Sequence, residues 1–167
     1  MTTHQNSVKR CVIADDVRVS REMLSIWLQD YGYACKLVGD GVAAMNEIES
    51  QIPSLLITDI EMPKCNGLEL LSSIRSHREE KIRRIPVIVI SSLQDDKMIE
   101  VVKNFGANGV MCKPLESLRV RDTLNSIEQG LSWVKPCMPD LRGDSRIPAV
   151  SPKLRRMAEN VSRDLDR

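Results

Sequence analysis

The chain has 167 residues, 42% of them apolar, enough to bury one core but hardly two. Its 24 basic and 23 acidic residues leave a net charge of +1, so no global field points to nucleic acid or to a membrane surface. No stretch approaches the roughly 18 apolar residues of a membrane helix, and the first ten residues lack the apolar segment of a secretion signal. The expectation is a soluble cytoplasmic protein that binds neither nucleic acid nor membrane.

Short apolar, β-branched runs alternate with amphipathic stretches, the pattern of parallel strands joined by crossover helices. Strands are expected at Lys9–Ala14, Ala34–Val38, Leu55–Thr58, Val87–Ile90 and Val110–Cys112. Runs such as LLIT and VIVI do not alternate, so helices should cover both faces of the sheet. The first helix carries Leu24, Trp27, Leu28 and Tyr31 at helical spacing and stops at Gly32. A second runs from about Gly41 to Ser50, ahead of Pro53, and a third follows Gly67 through LELLSSIR. A fourth spans Asp95 to Phe105 before Gly106, and the last places Leu124, Ile127 and Leu131 on one face and ends near Gly130. The fold class is therefore α/β, a doubly wound five-stranded parallel sheet.

The five cysteines (Cys11, Cys35, Cys65, Cys112 and Cys137) show no metal-ligand spacing. They read as free thiols, with Cys11, Cys35 and Cys112 as small core residues. Residues 134–150, with Pro136, Pro139, Gly143 and Pro148, read as a linker. In residues 151–167, Leu154, Met157, Ala158, Val161 and Leu165 fall within one stripe at helical spacing, which predicts an amphipathic helical tail. With 34 residues after position 133, the expectation is that no helix-turn-helix output domain is present in this sequence.

In a parallel α/β sheet the functional side chains lie at the carboxyl ends of the strands. Here the first strand ends on Asp15 and Asp16, the third on Asp59, the fourth on Ser91 and Ser92, and the fifth on Lys113. Carboxylates brought so close repel one another, and they stay ionised only around a cation. All-oxygen ligation with room for water and phosphate suits Mg²⁺. A carboxylate so placed can attack phosphorus, with an ammonium and a hydroxyl neutralising the transferred group. Each residue also has a plainer reading: Asp15 and Asp16 as helix caps, Asp59 as a turn carboxylate, Ser91 and Ser92 as caps of the fourth helix, Lys113 as a solvated charge. All four strand ends carrying these types by coincidence is the less economical account.

The motifs VIADD, LLITDIEMP with the following Gly67, PVIVISS and GANGVMCKPL stand in an order and spacing that resembles the receiver domain of two-component response regulators, over residues 7–133. The resemblance implies a flavodoxin-like sheet of order 2-1-3-4-5 and phosphotransfer from a histidine kinase or phosphotransfer protein to Asp59. It implies a signalling module rather than a dedicated enzyme, with a downstream protein target that the sequence does not name. Asp16 resembles the direct Mg²⁺ ligand, Asp15 acts through water, Asp59 is both phosphoacceptor and ligand, and Glu61 lends its backbone carbonyl. Ser91 resembles the switch hydroxyl, Lys113 pairs with a phosphoryl oxygen, and the Lys113–Pro114 bond is similar to one that is cis in the family.

One departure stands out, since the position three residues before the lysine, usually Tyr or Phe, is Val110. That excludes an aromatic rotamer switch there and leaves output to Ser91, the 91–95 loop and the fourth helix. A haloacid-dehalogenase-type phosphohydrolase would need a DxDxT motif after an early strand, which is missing, and a pseudo-receiver would have lost an acid or the lysine.

Overall fold

The computed structural model describes residues 8–92, 95–131 and 133. The expected linker 134–150, the tail 151–167 and Cys137 lie outside them. Five parallel strands, β1 (Lys9–Ala14), β2 (Tyr33–Val38), β3 (Leu55–Asp59), β4 (Val87–Ser91) and β5 (Gly109–Cys112), form one sheet of order β2-β1-β3-β4-β5. The order is the expected one, and each strand lies within one residue of its expected bounds. The chain divides into two compact units, Met1–Val87 and Ile88–Arg167.

In the first unit β1 is central. Ile13 stands in register with Leu37 of β2 and with Ile57 of β3. All five residues of β3 are buried, as a strand covered on both faces requires. On β2 the buried ends enclose a stretch that alternates between exposed and half-buried, the mark of a sheet edge. Helix α1 (Arg18–Gln29) buries Leu24, Ser25 and Leu28, and α2 (Gly41–Ser50) buries Ala44 and Ile48. Arg10 and Lys36, on the face of β1 and β2 opposite to Cys11 and Cys35, both pair with Glu47 of α2, at 2.9 and 3.1 Å.

After β3, α3 (Gly67–Arg75) opens on a capping box. The Asn66 side chain accepts from the Leu68 and Glu69 amides at 3.0 and 2.9 Å, and Glu69 accepts from the Asn66 amide at 2.9 Å. A short helix α4 (Glu80–Arg83), not expected from the sequence, precedes β4. It is held by Arg75, whose Nη1 donates to the carbonyls of Arg83 and Ile85 at 2.7 and 2.9 Å. Burial lowers the Arg75 pKa from its usual value.

In the second unit β4 and β5 pair from Ile88–Gly109 to Ser91–Cys112. Helix α5 (Asp96–Asn104) is capped by the Asp95 side chain, not by Ser91 or Ser92, and buries Met98 and Val102. Helix α6 (Ser117–Glu128) buries Val120, Thr123 and Leu124.

Helix ends depart from the expected stripes. Gly32, Gly106 and Gly130 all have positive φ, as expected of residues that reverse the chain after a helix. The helices stop before them, so Tyr31 lies in the turn beyond α1 and Leu131 follows α6 with half its surface exposed. Cys11 and Cys112 are buried as expected, whereas Cys35 on the edge strand is only half-buried.

Leu28 is fully buried, and Ile26 on the same helix is 62% exposed. Leu28→Ala should lower the unfolding free energy by about 2–5 kcal/mol, while Ile26→Ala should change it by less than about 0.5. Urea denaturation of the two variants checks the orientation of α1.

Candidate functional site

Asp15 and Asp16 follow β1, and Asp59 is the last residue of β3, the neighbouring strand. One ligand oxygen from each can be chosen so that all three lie within 4.8 Å of one another. Asp15 and Asp59 are buried, at 0% and 4% exposure, and Asp16 is exposed. The cluster therefore has two buried walls and one side open to solvent.

The local sequence explains how Asp15 is held. Its backbone N–H donates to the Val38 carbonyl at 3.2 Å, prolonging the β1–β2 ladder by one step. Its carboxylate accepts from the Val17 amide at 2.8 Å and from the Ser20 hydroxyl at 2.7 Å. Arg21 donates to the Asp15 backbone carbonyl. The plainer reading of Asp15 as a helix cap is not what the backbone shows, because the residue at the cap position of α1 is Val17, with no side-chain capping bond. Sequence reasoning misses Ser20 and Arg21: a hydroxyl and a guanidinium in the first turn of a helix carry no motif, and only the geometry gives them a partner.

Asp59 is placed by the loop and helix on its C-terminal side. The Gly67 amide donates to the Ile60 carbonyl at 3.0 Å, and a Cβ on Gly67 would collide with the carbonyl oxygen of Asp59. The absent side chain lets α3 begin against the backbone of Asp59 itself. Gly41, at the start of α2, is crowded in the same way: its amide donates to the Cys65 carbonyl at 3.1 Å, and a Cβ would sit 2.6 Å from that oxygen. Between these contacts Lys64 takes a left-handed conformation, φ 63°, which disfavours a residue with a side chain by roughly 1–2 kcal/mol. Its ammonium lies 2.7 Å from the Asp40 carboxylate, which also caps α2 through the Ala43 amide at 2.8 Å. The loop after Asp59 is thus fastened to two helix starts.

The hydrogen bond from Lys64, then that from the Ala43 amide, holds Asp40 below the usual carboxylate range. A depressed folded value means that the stabilisation is present above the unfolded pKa and is lost as pH falls through the folded one.

The remaining expected residues lie in the second unit. Ser91 is the last residue of β4 and is buried at 2% exposure. The amide of Lys113, the residue after β5, donates to the Ser91 carbonyl at 2.9 Å, so these two are fastened to each other. The Lys113–Pro114 bond is cis. Val110 is buried within β5. Glu61, in the first unit, is exposed two residues after Asp59.

The family model described as the response regulator receiver domain matches residues 11–125. The regulator of RpoS of Escherichia coli K12 is 35% identical over 115 residues, covering 68% of this chain and 33% of that protein. The response regulator MprA of Mycobacterium avium is 34% identical over 116 residues, 67% of this chain and 48% of the other. The CAI-1 autoinducer sensor kinase/phosphatase CqsS of Vibrio cholerae is 31% identical over 126 residues, 75% of this chain and 17% of that protein. The chain thus spans less than half the length of these curated relatives. Among solved structures, the chemotaxis response regulator CheY4 of Vibrio cholerae shares the fold with a TM-score of 0.68 at 24% identity, over 72% of this chain and 99% of that one. The receiver domain of a signal transduction histidine kinase from Syntrophus aciditrophicus gives 0.66 at 23%, over 82% and 96%. The chain belongs to the family of response regulator receiver domains of two-component systems. That family is a signalling module, phosphorylated on aspartate, that binds Mg²⁺ at an acidic cluster. Among the described residues no helix is long and apolar enough to cross a membrane.

Gly67→Ala should destabilise the protein by about 1–3 kcal/mol, because the new methyl group meets backbone that cannot rotate away; the unfolding midpoint in urea reads it. Asp40→Asn keeps a capping oxygen and removes the charge. Its melting temperature should fall below that of the wild type near neutral pH, and the difference should shrink as pH drops below about 4.

Proposed function

We propose that Asp59 accepts a phosphoryl group from the phosphohistidine of a histidine kinase or phosphotransfer protein, and that this switches binding to a downstream protein target. The observation that supports it most is the set of three carboxylates, two buried, whose oxygens come within 4.8 Å at the ends of adjacent strands. Hard oxygen donors with one open side fit Mg²⁺ rather than a thiol- or imidazole-seeking metal. Asp16 and Asp59 would ligate it directly, Asp15 through water, and the Glu61 carbonyl would add a further oxygen. When bound, Mg²⁺ neutralises charge on the phosphoryl oxygens as the group transfers.

The chain's own residues supply the rest. The Asp59 carboxylate attacks phosphorus in line as the P–N bond of the donor breaks, and the imidazole leaves with a proton. The bonds from Val17 and Ser20 occupy the Asp15 carboxylate and fix its direction before any ligand arrives. Lys113 pairs with one phosphoryl oxygen, and the Ser91 hydroxyl turns to donate to another. With Val110 at the usual aromatic position, output runs through Ser91, the loop to residue 95 and α5. Residues 7–133 act as the receiver module, in the cytoplasm, with slow loss of the phosphoryl group and no dedicated enzymatic turnover.

Asp59→Asn should abolish labelling by acetyl phosphate in Mg²⁺, since an amide is not a carboxylate nucleophile; undiminished labelling would overturn the assignment. Asp16→Ala should weaken Mg²⁺ binding, read by calorimetry, by more than the roughly 10–100-fold that loss of an outer-shell partner causes. Lys113→Ala should still take up phosphate but fail to change conformation on phosphorylation, and normal activation would refute its role.

A further inference from the structure

Cys11 and Cys35 are distant in sequence but adjacent in space. They are register partners on β1 and β2, so both side chains project from the same face of the sheet. In-register neighbours in a sheet place their Cα atoms about 4.8 Å apart, inside the range that a disulfide spans. Ser25 of α1 lies over this pair and hydrogen-bonds Cys35, and Gln29 donates to the Ser25 hydroxyl at 3.3 Å. Access is unequal. Cys11 is fully buried at the centre of the first unit, and Cys35 is half-buried on the edge strand.

We propose that Cys11 and Cys35 form a peroxide-sensitive thiol pair, with Cys35 as the reacting sulfur and Cys11 as the resolving one, closing a disulfide across the β1–β2 ladder. The Cys35 thiolate attacks the O–O bond of a hydroperoxide, gaining one oxygen as sulfenic acid while hydroxide, or alkoxide, leaves and takes up a proton. The Cys11 sulfur then attacks the Cys35 sulfur, the S–S bond forms, and the sulfenic oxygen departs as water with the Cys11 proton. Two thiols are oxidised, one peroxide is reduced, and hydrogen peroxide yields two waters.

Three features distinguish this pair from ordinary buried cysteines. The hydrogen bond from Cys11, then that from Ser25, holds the Cys35 thiol below its usual pKa against the opposing effect of burial, whereas burial pushes Cys11, Cys65 and Cys112 up. The Cys11 thiol has a second acceptor in the Val12 carbonyl at 3.5 Å, so its single proton can turn to the Cys35 sulfur when that ionises. Because Cys11 is sealed in, a soluble reductant can reopen the bond only at the Cys35 sulfur. The proposal does not depend on phosphotransfer.

The 167-residue chain carrying Cys137→Ser is treated with hydrogen peroxide, alkylated and mapped by peptide mass spectrometry. The expected result is a Cys11–Cys35 crosslink, two hydrogens lighter and reversed by a dithiol, formed before Cys65 or Cys112 changes. Ser25→Ala should slow alkylation of Cys35 several-fold with the circular dichroism unchanged. Cys11→Ser should accumulate a dimedone-trapped sulfenic acid on Cys35, and if that variant fails to fold, the crosslink and the Ser25→Ala rate stand as the test. Oxidation of Cys65 or Cys112 ahead of Cys35, or over-oxidation of Cys35 with no crosslink in the parent, overturns the proposal, as does unchanged Cys35 reactivity in Ser25→Ala.

Discussion

Three carboxylates cannot be gathered at the ends of two adjacent strands without cost, and much of the first unit answers that constraint. Like charges this close repel one another, and the burial of Asp15 and Asp59 withholds the water that would screen them. Donors near at hand reduce it. Asp15 has an amide and a hydroxyl on its carboxylate, both supplied within five residues by the turn into α1. Asp59 has its backbone clamped by the start of α3, which only a glycine at position 67 allows. The loop beyond it is tied down by Lys64 and Cys65. The cluster is enclosed on the side of Asp15 and Asp59 and open at Asp16.

Much of this frame is legible in the sequence, for a physical reason. A parallel strand covered on both faces must be apolar throughout, so LLIT and VIVI mark β3 and β4 without ambiguity, and the polar residue that ends each run marks the rim of the sheet. Features that depend on three-dimensional neighbours do not show in this way. The segment HREEKIRRI is too polar to suggest a helix, yet α4 forms there because Arg75, from another helix, bonds the carbonyls at its end and Ile82 is buried. Tyr31 and Leu131 continue the spacing of their helices, but a glycine with positive φ turns the chain too early for either to share the buried stripe. Ser20 and Arg21 belong to no pattern, and their importance lies in where Asp15 sits.

The two strands that carry Ser91 and Val110 are joined by backbone as well as by side-chain packing. Lys113 and Ser91 share a hydrogen bond through main-chain atoms, which ties the end of β4 to the residue that follows β5. Val110 fills a buried place within β5.

The edge position of β2 has a bearing on self-association. Among the described residues β2 has no neighbour on its outer side, and a strand so placed offers a row of amides and carbonyls to any extended chain that approaches, including another copy of itself. Lys36 stands in the middle of that row, and its ammonium is held 3.1 Å from Glu47. To add a strand there, an incoming chain must displace or desolvate that charge pair, at a position where β2 is otherwise short and flanked by turns. The lysine therefore protects the sheet from growing sideways, a property distinct from anything that happens at its carboxyl end.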